Sequence, residues 1–375
     1  MSMEFATRTQ DLAKELALVQ GVVERKTTIP ILSNVLIEAR EVKNGGEIEI
    51  RATDLEVGVR TICDATVKKA GKMTLPARRL NDIVSLLPDS ELQITARDGS
   101  WASLTCDRTR YRLAGAGAED FPPLPDYDFK DGFAIEMAPF KAMIERVVFA
   151  ISNEDPRFSI KGALLIVEGA TLSLVATDGH RLSMVTRENW IRGAKPVRVL
   201  VPRKALVELL KFDAGTEGEL RFGSSGNHLF FKMGRRLIQT TTLDTDFPKY
   251  ERVIPDKNDR LISLETQALR TALGRVTILA ADRTRLVRVA VAPGRLTLSS
   301  ESPTMGEAEE TLPVEYDGPE FQIGFNSRFL LDFLQATAAP RVRMELRDEQ
   351  TQGMFRPEGE GEWEHRYVVM PVRLT

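Results

Sequence analysis

The sequence predicts an α+β protein of three similar domains, and three observations carry that prediction. An apolar stripe at helical spacing occurs three times, its copies starting 128 and then 129 residues apart. The tripeptide Ala-Thr-Asp recurs so that Asp54 and Asp178 stand 124 residues apart. Phe121-Pro122 and Phe247-Pro248 stand 126 apart. A period near 125 is too long for a solenoid unit and suits a domain. A chain of 375 residues has room for three.

Each third opens on a helix. Leu12, Leu16, Val19 and Val23 are spaced 4, 3, 4, as are Phe140, Ile144, Val147 and Ile151, and then Leu269, Leu273, Val276 and Ala280. Each set makes one apolar stripe. A second helix follows in each third, with stripes Leu80, Ile83, Leu87; Leu206, Leu209, Leu210; and Phe329, Leu330, Phe333. Pro76 and Pro202 stand just before two of these helices, and Asn326 is an N-cap for the third. Between the helices, residues 47–62, 170–186 and 295–312 alternate as antiparallel strands. The expected domains are 1–125, 126–253 and 254–375, with two helices each on antiparallel sheets. Both boundaries fall in proline-rich turns, so the domains should hold a fixed relation.

Composition narrows the function. Hydrophobic residues make up 42% and charged residues 28% of the chain, the balance of a packed globular protein. No apolar run approaches the roughly 20 residues of a membrane span. The opening MSMEFATRTQ lacks a signal pattern, and Cys63 and Cys106 form no CxxC, so a reducing cytoplasmic location is expected. Net charge is −3, distributed as −1, +2 and −4 over the three thirds, so any basic surface is local.

A search for catalytic chemistry finds little. Asp178 and His180 pair a carboxylate with an imidazole, but no GxSxG elbow supplies a nucleophile. His228 and His365 lie in different thirds, without HExxH, and are expected at the surface. Gly115-Ala-Gly117 reads as a turn. Glu307, Glu309 and Glu310 lack a calcium-loop pattern and read as a solvated or interface-facing strand. No metal or cofactor is expected. Basic residues do recur at or beside the helices: Arg25-Lys26 in the loop after the first, Arg78-Arg79 opening the second, Arg146, Arg203-Lys204 at the second helix of the middle third with Lys211 later, then Arg270, Arg275 and Arg328. Side chains so placed suit phosphate contacts that do not read bases.

Several stretches resemble one family from end to end. They are TTIPILSNVLIEA (27–39), ATDLE (52–56), LPARRLNDIV (75–84), VATDGHRLS (175–183), VPRKALVELLK (201–211), DFPKYERVIP (246–255), GFNSRFLLDFL (324–334) and YVVMPVRL (367–374). All resemble the bacterial β sliding clamps, the processivity subunits of DNA polymerase III. The resemblance implies a DNA clamp fold and a head-to-tail homodimer closing a six-domain ring around duplex DNA. It implies a non-catalytic role, tethering polymerase, clamp loader and repair proteins through short linear motifs. Two rivals remain at this point: an interaction scaffold that never touches DNA, and a hydrolase using Asp178 and His180.

The resemblance also assigns residues. Arg25, Lys26, Arg78 and Arg203 match DNA-facing positions. A partner pocket takes Arg157, Ile160, Thr177, Gly179, His180, Arg181 and Leu182 from the middle third, with Pro248, Arg252 and Val253 after it. The last third adds Phe329, Val368, Met370, Pro371, Val372 and Arg373. Val and Leu suit apolar walls, Met an adaptable one, and Arg and His a polar rim. Two places depart from relatives: Phe158-Ser159 stands where some of them carry an aromatic pair, and Val372 where a Met is common. The implied dimer contact sets Tyr111 and Leu113 against Ile278 and Leu279, with Arg79, Arg108 and Arg110 facing Glu307, Glu309 and Glu310.

Overall fold

The computed structural model describes residues 3–24, 28–43, 45–97, 101–152, 160–212, 218–243, 246–281, 284–359 and 361–374. The first third holds β1 (Glu4–Arg8), α1 (Thr9–Gln20), β2 (Asn34–Val42), β3 (Gly45–Thr53), β4 (Val57–Lys69) and β5 (Gly71–Pro76), then α2 (Ala77–Leu86), β6 (Glu91–Arg97), β7 (Trp101–Cys106) and β8 (Thr109–Ala114). The middle third holds β9 (Phe133–Glu136), α3 (Met137–Glu145), β10 (Gly162–Glu168), β11 (Thr171–Thr177), β12 (Arg181–Arg187) and β13 (Val197–Pro202). It continues with α4 (Arg203–Leu209), β14 (Glu219–Ser225), β15 (His228–Met233) and β16 (Arg236–Thr241). The last third holds β17 (Arg260–Glu265), α5 (Thr266–Val276), β18 (Leu286–Ala292), β19 (Arg295–Ser302), β20 (Gly306–Pro313) and β21 (Phe321–Asn326). It ends with α6 (Ser327–Ala336), β22 (Arg341–Leu346), β23 (Gly353–Glu358) and β24 (Glu364–Val369).

These elements form two compact units. The first comprises Met1–Ala138 and Lys204–Thr242, the second Pro139–Arg203 and Leu243–Thr375, so the middle third supplies strands to both. The first unit carries one 12-stranded antiparallel sheet whose main path runs β8-β7-β6-β1-β4-β16-β15-β14-β9. The second carries an eight-stranded sheet, β13-β10-β11-β12-β24-β23-β22-β17, and a four-stranded one, β20-β19-β18-β21.

The helical stripes are buried as their spacing requires, with one systematic difference. Leu12, Leu16 and Val19 are buried on α1, and Leu269, Leu273 and Val276 on α5. The fourth residue of each stripe falls past the helix end: Val23 after α1, Ile151 after the 3-10 turn Val148–Ala150, and Ala280 after the 3-10 turn Thr277–Leu279. The chain tightens there while keeping its buried face, a common way to satisfy terminal carbonyls. On α2 the buried face is Ala77, Leu80 and Val84, so the expected Ile83 and Leu87 are only half-buried. Asn326 caps α6 as expected, its Oδ1 accepting the Arg328 backbone N–H at 3.0 Å. Gly324 lets the tail approach, since a Cβ there would lie 2.6 Å from the Val372 carbonyl.

Candidate functional site

The repeated Ala-Thr-Asp is a hairpin device. In the first third, Asp54 Oδ1 accepts the backbone N–H groups of Glu56 (3.0 Å) and Val57 (2.7 Å), and Thr53 Oγ1 accepts that of Leu55 (3.0 Å). In the second, Asp178 Oδ1 accepts from His180 and Arg181, both at 3.0 Å, and Thr177 Oγ1 accepts from Gly179 (3.1 Å). Short polar side chains close turns in this way. Both turns put one residue at positive φ, Leu55 at 79° and Gly179 at 88°. The second carboxylate oxygen of each Asp then binds a cation. Asp54 takes Lys204, which also donates to the Val22 carbonyl (3.1 Å), and Asp178 takes Arg181 Nε (2.9 Å).

Arg181 joins several of the expected pocket residues. Its guanidinium also reaches Asp332 Oδ2 (2.7 Å) and the Phe149 carbonyl (2.6 Å). It lies between the rings of Phe329 (4.4 Å) and Phe149 (5.3 Å). Burial alone would depress this guanidinium, but Tyr367, Asp332 and Asp178 outweigh that and raise its pKa. Burial pushes the Tyr367 phenol up, so it stays protonated and donates to the Phe329 carbonyl (2.9 Å). Arg181 is only 8% exposed, which corrects its expected place on a polar rim. It fixes the positions of others: the exposed His180 ring stacks on Phe329 at 6.5 Å, and the His180 carbonyl accepts the Met370 N–H at 2.9 Å.

The second unit brings most of the expected pocket together. Leu182 and Val368 are paired across β12 and β24 and share a buried apolar cluster with Val175, Leu164, Tyr250 and Met354, against which Val253 packs. Ile160 and Thr177 are buried, while Met370, Pro371 and Val372 are half-buried. Gly179, His180, Pro248, Arg252 and Arg373 are exposed. The tail is pinned at alternate residues, as the Val372 N–H donates to the Gly324 carbonyl (2.8 Å). Tyr250 and Met354 were not expected here. The signal for Met354 was strand alternation opposite Val368, with which it is paired. Arg157, Phe158 and Ser159 lie outside the described residues.

The DNA-facing set divides. Arg25 and Lys26 lie outside the described residues. Arg78 and Arg203 are half-buried at the starts of α2 and α4, and the buried Nε of each has no hydrogen-bond partner among the described residues. Counted from Pro76, Pro202 and Asn326, the equivalent residues are Arg78, Lys204 and Arg328, not Arg203. Four basic residues from the wider set are engaged instead: Lys204 by Asp54, Lys211 by Glu208 (2.7 Å), Arg275 by Glu310, and Arg146, which is buried against the Trp363 ring (4.6 Å). Arg79, Arg270 and Arg328 are exposed.

Tyr111 (37%) and Ile278 (72%) are exposed apolar side chains, while Leu113 and Leu279 are half-buried. Arg79, Arg108, Arg110, Glu307 and Glu309 are exposed, but Glu310 lies on the helix side of β20. There Arg275 holds its carboxyl below the usual range. His365 is 3% exposed, against the expectation of a surface residue; its Nε2 lies 3.0 Å from Ser183 Oγ. His228 is half-buried. Among the described residues, no three His, Cys, Asp or Glu side chains are grouped to hold a metal. No helix among them is long and apolar enough to cross a membrane.

Comparison with known proteins agrees with this architecture. The N-terminal, central and C-terminal domains of the DNA polymerase III beta subunit match residues 3–125, 134–249 and 251–373. The beta sliding clamp of Pseudomonas aeruginosa is 35% identical over 99% of this chain and 100% of its own length. That of Escherichia coli K12 is 33% identical over the same shares. The crystal structure of the Pseudomonas aeruginosa subunit superposes with a TM-score of 0.91 at 35% identity, covering 99% of this chain and 100% of that one. A Caulobacter crescentus beta sliding clamp, with PEG bound to its putative beta-motif tethering region, gives 0.90 at 32% identity and covers both chains fully. The chain belongs to the beta sliding clamp family, the beta subunits of DNA polymerase III.

Proposed function

We propose that two copies of this chain close head to tail into a ring around duplex DNA and tether the replicative polymerase through the pocket at Leu182, Val253 and Val368. The carrying observation is a pair of free sheet edges. β8 ends the 12-stranded sheet and β20 ends the four-stranded one, each with a side unpaired among the described residues. Exposed edges invite pairing. A contact between unlike surfaces that closes on itself gives a ring.

The chain already contains two joints of the proposed kind, and they set the register of the third. β4 pairs with β16 through Val59↔Ile238, and β12 with β24 through Ser183↔Tyr367. Val59, Ser183 and Ala308 are equivalent, because they pair with Ala52, Ala176 and Ser300 of their own hairpins. Ile238, Tyr367 and Tyr111 are equivalent, because they pair with Phe231, Phe355 and Leu104. The third joint therefore sets Tyr111 of one copy opposite Ala308 of the next. Antiparallel pairing then places Arg110 opposite Glu309 and Arg112 opposite Glu307. Opposite charges directly across a strand pair are favourable, and they select partner and register. This refines the expected contact: Arg112 takes the place of Arg108, which lies in the β7–β8 turn, and Glu310 is occupied by Arg275.

The DNA role rests on Arg78, Arg79, Arg203, Arg270 and Arg328 at or near the helices. Sparse, sequence-blind phosphate contacts retain a duplex without fixing its position. The tether raises the local concentration of polymerase at its template. The role is mechanical and non-catalytic, and it belongs in the cytoplasm with the DNA being copied.

The test is a disulfide across the joint. Tyr111→Cys with Ala308→Cys should give a covalent dimer on oxidation. Tyr111→Cys with Glu309→Cys, one residue out of register, should give far less. Equal yields from both pairs, or none from either, would contradict the joint.

A further inference from the structure

Beside the pocket lies an open cleft of about 470 Å³. Met184, Tyr250, Ile254, Pro255 and Met354 give it apolar walls, and Glu251, Asp256, Asn258, Glu345, Arg356 and Arg366 give it polar ones. We propose that this cleft receives the stretch of partner polypeptide flanking the segment held in the pocket, and that this stretch carries Lys or Arg. The inference rests on the reading of the pocket given above.

Three observations support it. The first is continuity. Leu182 and Met184 alternate onto one face of β12; Val368 and Arg366 oppose them on β24; Met354, paired with Val368, continues the face on β23. One sheet face therefore runs from the pocket floor into the cleft, and Tyr250 and Met354 belong to both. Two methionines make a wall that adapts to varied side chains.

The second is an unmet acceptor. Asn258 Nδ2 donates to the carbonyls of Glu345 (2.8 Å) and Gln352 (2.9 Å), which fixes the orientation of the amide. Its Oδ1 is buried with no hydrogen-bond partner among the described residues. A buried acceptor left unpaired is costly, so a small shift of this wall that admits a peptide N–H is favoured.

The third is charge. Glu364 binds Arg356 (2.7 Å) and Arg366 (2.7 Å), and Glu345 also lies 3.0 Å from Arg356. The cations of the cleft are therefore neutralised. Of the residues that line the cleft, Glu251 and Asp256 are exposed, with no ion pair among the described residues, so the unpaired charge of the lining is negative. A basic flank complements it.

The test uses the full chain with ¹³C-methyl methionine, so that Met370 reports the pocket and Met184 the cleft. The probes are 20-residue peptides tiling the polymerase subunit of DNA polymerase III from the same organism. The expected result is that a peptide shifting Met370 also shifts Met184. In Glu251→Gln/Asp256→Asn its Kd should rise about fivefold at low salt, while Met370 still responds at saturation. A response at Met370 without Met184, or a Kd unmoved by the double substitution, would overturn the cleft and leave the pocket standing. Silence at both methyls for every peptide would overturn the pocket itself, and this inference with it.

Discussion

Arg181 shows how far a residue's type can mislead about its place. As an arginine beside a partner pocket it reads as a polar rim. In the structure it is buried among Asp178, Asp332, Phe149 and Phe329, and it holds the wall that His180 and Phe329 present. Arg181→Met keeps the bulk and strands two carboxylates. The expected loss is about 3 kcal/mol, since breaking a largely buried pair leaves uncompensated charge. It is read from the urea midpoint, and an unchanged midpoint would contradict the role. His365 and Arg146 are likewise buried, and Glu310 is bound by Arg275, where residue type alone suggests a free surface group. Residue type was legible in each case, but the partner that buried or bound the side chain came from far along the chain. Only family resemblance suggests a partner pocket at Leu182, Val368 and Thr177, because a strand pattern alone does not say which buried face lies beneath a pocket. Tyr250 and Met354 share the buried cluster of Leu182 and Val368 through contacts the resemblance did not carry.

At the scale of elements, the repeated hairpin was the most legible feature. The Thr-Asp pair closes its own turn through bonds to residues two and three positions on, which a sequence displays directly. Among their differences is the residue that takes positive φ. Gly179 occupies positive φ without strain, whereas Leu55 occupies it with a branched side chain that is 56% exposed. Leu55→Gly should therefore stabilise the protein, by about 1 kcal/mol, because a non-glycine residue pays roughly that much in the left-handed region. Thermal unfolding measures it, and a lower Tm would contradict the account. Helix starts were well marked by Pro76, Pro202 and Asn326. Helix ends were less so, because a stripe continues through a 3-10 turn without changing its buried face. The register of basic residues was also misjudged: Lys204, not Arg203, stands in line with Arg78 and Arg328, and it serves a joint with Asp54.

For the whole molecule, the triplication was legible from spacing. The joints were not, because a strand pairing between distant segments leaves no local signal. β4–β16 and β12–β24 follow one plan, and β8 with β20 are the edges that the plan leaves over. Three domains per chain make two chains a six-domain ring, and that count is the central claim. Sedimentation equilibrium across a concentration series tests it most directly. The account predicts a mass of twice 41.9 kDa that falls toward 41.9 kDa on dilution, with Arg110→Glu/Arg112→Glu dissociating at higher concentration than the parent chain. A species that stays at 41.9 kDa at every concentration would leave both edges unpaired and contradict it.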